Sequence, residues 1–337
     1  MEFDAVLAHD HMSDLTSIRK MKCGNVKIKV LNLLMDAMGW ADTRKGFVGS
    51  YYEYNGYFAR TAAAVEDFIG KIEACDDIII IKNSDDVKRC LDLGQTGIVL
   101  GFEGGKGIER DIFLLRALYR MGVRHIQFTW CLQNHIGSSQ YDTQRGISGF
   151  GMQVIEEMNR LGMLIDVTHF SKTGIRQVLR LSKRPILCGH CAAAALSNDP
   201  QNLDDDLLKQ FRETGSVIGV HFMAHILKNK EKVAIQDFCD VVRYIKKVAG
   251  IEIIGLGPDF EIWNENYIRN TSFFYENEQY AALLKRKCPI SYLEGYEEVS
   301  SIKNVAEALA KNNFSTVEVE KIMGGNMLRL ITNCFEV

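Results

Sequence analysis

Five short apolar segments of this chain each end in a residue that can bind a metal ion. Rich in Val, Ile and Leu, they read VLAHDH (6–11), IVLGFEGG (98–105), LIDVTH (164–169), PILCGH (185–190) and IIGLGPDF (253–260). Such runs are typical of parallel strands buried on both faces. Imidazoles and carboxylates at the C-terminal ends of several strands indicate the mouth of a (β/α)8 barrel that holds zinc or a similar ion.

Strand-like and helix-like segments alternate along the whole chain. The strands are predicted at 5–10, 77–82, 97–103, 124–130, 164–168, 185–190, 216–222 and 253–259. Amphipathic helices are predicted at 111–121 and 151–161, and each is followed by a glycine, as is common at a helix C-terminus. The alternation predicts an α/β fold, a (β/α)8 TIM barrel that forms a single domain over residues 1–337.

Two segments interrupt this repeat. Residues 24–75 are predicted to form a long insertion between the first two strands, and residues 261–300 follow the last strand. Long loops after barrel strands commonly form the mouth of an active site. Both segments carry a cluster of aromatic residues. These residues could contact the substrate or could pack in a small satellite core under the loop, and the sequence favours neither. The first cluster is Phe47, Tyr51, Tyr52, Tyr54, Tyr57 and Phe58, and the second is Trp263, Tyr267, Phe273, Phe274, Tyr275 and Tyr280.

Charge and composition exclude several classes of function. The formal net charge of -3 gives no basic surface for nucleic acid or an anionic membrane. The acidic N-terminus lacks the pattern of a signal peptide and no window approaches 18 apolar residues, so we expect a cytoplasmic protein. The nine cysteines follow no disulfide framework and are expected to be free thiols. A redox pair of Cys188 and Cys191 is a remote alternative to two small residues at a strand end.

The metal-binding residues suggest a hydrolytic mechanism. His9 and His11 lie two residues apart on a strand, so the pleat points both imidazoles to one side and both can reach one ion. The two oxygens of Glu103 can bridge two metals, and His169 and His190 could complete a second site. Asp259 is placed to bind one metal and to accept a proton from the attacking water. Two ions roughly 3.5 Å apart would activate a water and polarise a carbonyl, which predicts amide hydrolysis without a covalent protein nucleophile.

Longer motifs extend over nearly the whole chain: GFEGG (101–105), RGISGFG (145–151), EMNRLGMLIDVTH (157–169), PILCGH (185–190), GLGPDF (255–260) and GGNMLRL (324–330). In these motifs the chain resembles the renal (membrane) dipeptidase family of zinc peptidases, within the amidohydrolase superfamily. The resemblance implies two zinc ions per chain, a dipeptide or modified amino-acid derivative as substrate, and a homodimer. It also implies metal-site roles for His9, Glu103, His169, His190 and Asp259, with Glu103 as the bridging carboxylate and Asp259 as the acidic residue beside the nucleophilic water.

One departure from the family pattern affects the metal site. The family usually has H-x-D in its first motif, whereas this chain has His11 at the aspartate position. His11 can still bind zinc, but the site would carry one negative charge less. Asp10 or Asp14 could substitute if the register is shifted.

Other departures affect substrate recognition. Ala194 stands where the family often has an arginine that binds the substrate carboxylate, and a bidentate charged contact of that kind is lost with it. Trp130 stands in place of the family's substrate histidine after the fourth strand. We predict Trp130, Asn134 and His221 as substrate-binding residues, with a structural or supporting role for His221 as the alternative.

These departures leave a second hypothesis open. A barrel of this kind could bind a ligand or catalyse a non-hydrolytic reaction, because a retained fold does not guarantee a retained activity. Two zinc ions per chain would favour the hydrolase, and a metal-free or single-metal protein would favour the alternative.

Overall fold

Eight parallel strands close into a barrel in the computed structural model, which describes residues 3–10, 16–34, 36, 56–131, 133–141, 145–260 and 291–336. The ring closes because the last strand pairs with the first through Leu256 and Leu7. This confirms the predicted (β/α)8 barrel. The strands of the described residues are β1 (Ala5–Asp10), β2 (Val26–Leu34), β3 (Ile78–Ile80), β4 (Thr96–Glu103), β5 (His125–Gln127), β6 (Leu164–Asp166), β7 (Leu187–Cys191), β8 (Val217–Val220) and β9 (Ile254–Leu256).

The second strand of the ring is β2, and the prediction of an insertion at 24–75 is therefore wrong for this segment. β2 pairs with β1 on one side and with β4 on the other. Its sequence VKIKVLNLL carries lysines and an asparagine, which conceal a strand that is buried in the sheet. Lys29 is fully buried because its Nζ lies 2.7 Å from Asp10 Oδ2. A buried charge requires such a partner, and this partner is 19 residues away along the chain.

The predicted strand at 77–82 forms as β3, but it is not a member of the ring. Within the described part of the chain it pairs with the first residues of β4, from Ile78 with Thr96 to Ile80 with Ile98. The later residues of β4 pair with β5. The strand count of the barrel is thus as predicted, although its second member differs.

Helices follow most strands and cover the outside of the barrel. The predicted helices at 111–121 and 151–161 are confirmed as α4 (Ile112–Arg120) and α5 (Gly149–Leu161), and Gly162 ends α5 with a left-handed φ of 67°. The helices are α1 (Thr16–Cys23), α2 (Tyr57–Glu73), α3 (Ser84–Asp92), α4 (Ile112–Arg120), α5 (Gly149–Leu161), α6 (Lys172–Leu181), α7 (Asp205–Glu213), α8 (Ala224–Lys228), α9 (Ile235–Ala249), α10 (Lys303–Lys311), α11 (Thr316–Glu320) and α12 (Asn326–Phe335). Among the residues described, none of the helices combines the length and the apolar character needed to cross a bilayer.

The C-terminal helix α12 packs against the start of the barrel strands. Met327, Leu330 and Ile331 of this helix share one apolar cluster with residues near the beginning of several strands, including Leu164 and Leu187. In barrels of this kind the face at the strand N-termini serves stability, and the opposite face carries the chemistry. The packing of α12 therefore places any active site at the C-terminal ends of the strands.

Candidate metal centre

The C-terminal ends of the strands bring together buried imidazoles and carboxylates. His9 lies in β1, Glu103 is the last residue of β4 and His190 lies in β7. His169 and Asp259 each follow a strand, β6 and β9, by three residues. All five are buried. The structure thus assembles five of the six predicted metal ligands; the sixth, His11, lies outside the described residues.

Glu103 is at the centre of this cluster, and its two oxygens face different imidazoles. Oε1 lies 3.1 Å from His169 Nε2 and 3.6 Å from His190 Nε2. Oε2 lies 3.7 Å from His9 Nε2. One carboxylate therefore faces a histidine on one side and two histidines on the other, which is the arrangement that a bridging ligand needs.

Asp259 closes the opposite side of the cluster. Its Oδ1 lies 3.3 Å from His9 Nε2, and its Oδ2 lies 3.7 Å from His190 Nδ1 and 3.3 Å from His221 Nε2. Asp259 and His169 both have a left-handed backbone, with φ values of 55° and 61°. Such conformations are sparsely populated for residues with a side chain, and they cluster at functional sites.

Each of the three histidines around Glu103 has a carboxamide beside its second ring nitrogen. Asn32 Nδ2 lies 2.9 Å from His9 Nδ1, and Gln140 Nε2 lies 2.9 Å from His169 Nδ1. Gln201 Nε2 lies 2.7 Å from His190 Nδ1. Partners of this kind orient metal-binding histidines and select their tautomers.

Sequence reasoning missed all three carboxamides. Asn32 could be found only by recognising β2, where it is a polar residue in an otherwise apolar stretch. Gln140 and Gln201 lie on loops, and no local pattern distinguishes them from other polar loop residues.

Burial sets the protonation of most of these imidazoles. It lowers the pKa of His9 to about 4, with the charge of His190 as a further cause. Burial also lowers the pKa of His169. For His190 burial acts downward as well, but the negative charges of Asp259 and Glu103 outweigh it and raise the net pKa. His9 and His169 are therefore neutral near pH 7, as metal ligands must be.

The residues present fit a divalent metal. Among the described residues, His190 Nε2 is a buried polar atom without a hydrogen-bond partner, which a metal ion would satisfy. The ligand atoms of His9, Glu103 and His190 lie within 4.8 Å of one another. A donor set of imidazole nitrogens and carboxylate oxygens suits zinc, and it also suits several other first-row ions.

Beneath the cluster, Asp166 holds the backbone that carries two of the histidines. Its Oδ1 accepts hydrogen bonds from the Thr168 backbone N–H (2.7 Å), the Thr168 hydroxyl (2.5 Å) and the Gly189 backbone N–H (3.2 Å). Its Oδ2 lies 3.1 Å from His125 Nε2. Thr168 precedes His169 and Gly189 precedes His190, so one buried carboxylate fixes both ligand positions. The sequence alone indicates no role for Asp166 or His125.

The predicted substrate-binding residues differ in their surroundings. Trp130 is buried, and His221 lies beside Asp259 as described above. The amide of Asn134 already has protein partners: Nδ2 donates to Phe128 O (2.7 Å) and to Asp36 Oδ2 (3.1 Å), and Oδ1 accepts from the Ile136 backbone N–H (2.8 Å). The substrate contacts of all three residues stay predictions.

Ala194 and the CxxC motif lie beside the cluster on the same strand and its loop. Ala194 is partly exposed, and its backbone N–H donates to Leu203 O. Cys188 and Cys191 are buried, and burial raises the pKa of the Cys188 thiol well above its usual value. A thiol that stays protonated is a poor nucleophile, which disfavours the redox alternative.

The aromatic clusters at the predicted mouth fall mostly outside the described residues. Tyr57 and Phe58 are described, and both belong to the first turn of α2. The Phe58 backbone N–H donates to Glu109 Oε1 at 3.1 Å. The aromatics at 47–54 and 263–280 are not among the described residues.

Comparison with known proteins relates the chain to a family of metallopeptidases. Residues 7–267 match the model of the membrane dipeptidase family, peptidase family M19. An uncharacterized dipeptidase of Schizosaccharomyces pombe is 28% identical over 245 residues, which cover 70% of this chain and 53% of that protein. The chain spans about half the length of the curated relatives that it matches.

Solved structures share the fold over the full chain. An amidohydrolase from Pseudomonas aeruginosa has a TM-score of 0.85 and 23% identity, and the match covers 99% of this chain and 97% of that one. A metallo peptidase from Rhodobacter sphaeroides, liganded with a phosphinate mimic of the dipeptide L-Ala-D-Ala, has a TM-score of 0.79 and 16% identity, with coverage of 99% and 100%. These similarities show the barrel fold.

Proposed function

The chain belongs to the membrane dipeptidase family (peptidase family M19), and from this premise we propose that it is a metal-dependent hydrolase that cleaves an amide bond in a dipeptide or a modified amino-acid derivative. The observation that carries the proposal is the position of Glu103, whose two oxygens face His9 on one side and His169 and His190 on the other. This arrangement is suited to hold two ions, and zinc is the ion that the family resemblance implies.

In this proposal the protein residues divide the work between metal binding and proton transfer. When bound, divalent ions would lower the pKa of a coordinated water and polarise the scissile carbonyl. Asp259 accepts the proton of the attacking water and returns it to the leaving amine. Its carboxylate is suited to this task because Oδ1 lies beside His9 and the side chain is only 11% exposed.

The position of Ala194 bears on the substrate. Without an arginine there, the substrate carboxylate lacks a bidentate partner at that place. We therefore propose that the substrate class extends to amino-acid derivatives whose carboxylate is absent or masked. The structural neighbour with a bound mimic of L-Ala-D-Ala supports screening dipeptides that contain a D-residue. We also propose a homodimer, which light scattering on the purified protein would test.

Replacing Glu103 by glutamine tests the function. The substitution preserves shape but removes the negative charge shared by both sides of the cluster, so we expect fewer bound metal ions per chain and no turnover. The assay is elemental analysis together with a hydrolysis screen of dipeptides, D-containing dipeptides and N-acyl amino acids.

The matched control is Glu157→Gln. Glu157 is also a buried glutamate, but it lies on α5 and pairs with Arg116 and Arg160. This variant should bind metal and turn over substrate as the unmodified protein does. Normal turnover by the Glu103→Gln variant would defeat the assignment of the site.

A further inference from the structure

His221 is a fourth imidazole at the metal centre, and its role differs from that of the other three. It directly follows β8 and is fully buried. Its Nε2 lies 3.3 Å from Asp259 Oδ2, and its ring centroid lies 5.1 Å from that of His190. Like His190 Nε2, this buried nitrogen has no hydrogen bond of good geometry among the described residues, and Asp259 Oδ2 is an acceptor within reach. The ligand atoms of His190, His221 and Asp259 also fall within 4.8 Å of one another, so by distance alone His221 could be a metal ligand.

The hydrogen bonds of His221 determine which ring nitrogen carries the proton. Its Nδ1 accepts from the backbone N–H of Phe222 at 2.8 Å and from the backbone N–H of Met223 at 3.0 Å. A backbone N–H can only donate, so Nδ1 carries no proton. In a neutral imidazole one nitrogen carries the proton, and here it must be Nε2. An Nε2–H group has no lone pair to give to a metal.

The other three histidines are not constrained in this way. The Nδ1 atoms of His9, His169 and His190 face the carboxamides of Asn32, Gln140 and Gln201.

A carboxamide can present its oxygen after a half-turn of its last torsion, so it can accept from a protonated Nδ1 and leave Nε2 free to bind metal. For Gln201 this half-turn reverses the direction of the 2.7 Å contact to the ring and gives up the 2.8 Å bond that Nε2 donates to the His190 carbonyl oxygen. The backbone donors at His221 offer no such exchange.

We infer that His221 is a positioning residue, which binds no metal and whose Nε2–H, 3.3 Å from Oδ2 of Asp259, donates to that oxygen after a small rotation of the carboxylate. The inference rests on the proposed function, since it assigns Asp259 the proton-transfer role. By holding Oδ2, His221 leaves Oδ1, which lies beside His9, as the oxygen that accepts the proton in the proposed mechanism. It also restrains a side chain whose backbone has a positive φ.

Two substitutions separate positioning from metal binding. In His221→Gln the terminal amide nitrogen can reach the place of Nε2 and donate to Asp259. In His221→Asn the shorter amide reaches only the place of Nδ1, so it can accept from the backbone but cannot reach Asp259. Both variants should bind as many zinc ions at saturating zinc as the unmodified protein, because His221 is not a ligand. Loss of the contact to Asp259 in His221→Asn should lower the zinc affinity by about 10–100-fold at most, the scale of a lost second-sphere partner.

The kinetic expectation is a change in kcat without a comparable change in KM. His221→Asn should lower kcat by about 10–100-fold, the scale of effect expected from a misplaced catalytic group. His221→Gln should restore kcat to within about threefold of the unmodified protein, by the same reasoning. Equal losses in both variants, or no loss in either, would overturn the positioning role.

A spectroscopic measurement tests the tautomer independently of activity. With 15N-labelled histidine, the His221 signals, assigned by their loss in His221→Asn, should show a bare Nδ1 and a protonated Nε2 both before and after zinc is added. Loss of the Nε2 proton on zinc addition, or a lower zinc count in both variants, would identify His221 as a ligand and overturn the inference. If the unmodified protein binds zinc but hydrolyses none of the amides, the proposed function fails, while this spectrum still decides the tautomer.

Discussion

Replacing Gly219 by alanine should destabilise the barrel and weaken metal binding together. A β-carbon at this position of β8 would lie 1.9 Å from the Gly189 carbonyl oxygen and 2.9 Å from the Ala8 β-carbon. Gly189 lies in the neighbouring strand β7, so relief requires the two backbones to separate by about 1 Å. Overpacking of this kind costs about 1–3 kcal/mol. We expect Tm to fall by about 1.5–4 °C in a chain of this length.

The expected loss of zinc affinity follows from the position of Gly189 directly before His190. Because His190 comes next in the chain, displacement of the Gly189 carbonyl moves the imidazole away from Glu103. We expect zinc affinity to fall about 10–100-fold, as when the support of a ligand is lost. Circular dichroism melting and competitive zinc titration on the same preparation measure the two effects.

Gly70→Ala is the matched control for this substitution. Gly70 lies inside α2, and a β-carbon there would meet no atom within 4 Å. Alanine is favoured over glycine in a helix interior by about 0.5–1 kcal/mol, so this variant should melt slightly higher and bind zinc unchanged. Unchanged melting and unchanged zinc affinity in Gly219→Ala would refute the packing argument.

Three further substitutions test other parts of the structure. Asp166→Asn should lower zinc affinity about 10–100-fold in a competition titration, because the turn before each supported histidine loosens; unchanged affinity would contradict this. Hydrogen bonds from Arg160 and Arg116 lower the pKa of Glu157 to about 2, so its stabilisation is present above its ordinary pKa and is lost as the pH falls toward 2. Denaturant unfolding of Glu157→Gln should therefore show a deficit of about 1–2 kcal/mol at pH 7 that narrows below about pH 4.5; a constant deficit would argue against the ion pair. Ala194→Arg should raise kcat/KM about tenfold or more for substrates with a free carboxylate, because a charged hydrogen bond contributes about 1.5–3 kcal/mol. The kcat/KM for the same substrates with an amidated carboxylate should not change. An equal change for both kinds of substrate would mean that this loop does not contact the carboxylate.

The barrel could be predicted because most of its strands are continuous apolar runs that end in a metal-binding residue. The second strand could not, because Lys29 makes β2 look half-solvated, and the charge is neutralised only through Asp10 in the folded barrel. Residues 78–80 show the opposite error: an apolar run fits a barrel strand equally well whether it joins the ring or, as here, pairs at the start of β4.

The residues of the candidate site also fall into two groups, those that the sequence reveals and those that it does not. Residues such as His169 and His190 stand out in the sequence because they end apolar runs and have metal-binding chemistry. Residues such as Gln201 and Asp166 support the ligands through contacts made after folding, and neither the strand pattern nor the residue type marks them. The tautomer of His221 depends on where two backbone N–H groups point, which is a property of the folded turn alone.

Metal content per chain is the measurement that tests the central claim most directly. Elemental analysis of protein purified without chelator, repeated after zinc is added back and excess removed, counts the ions that the cluster around Glu103 holds. The proposal of a two-metal hydrolase predicts about two zinc ions per chain. One ion or none after zinc is restored would contradict it and would favour a ligand-binding or non-hydrolytic barrel.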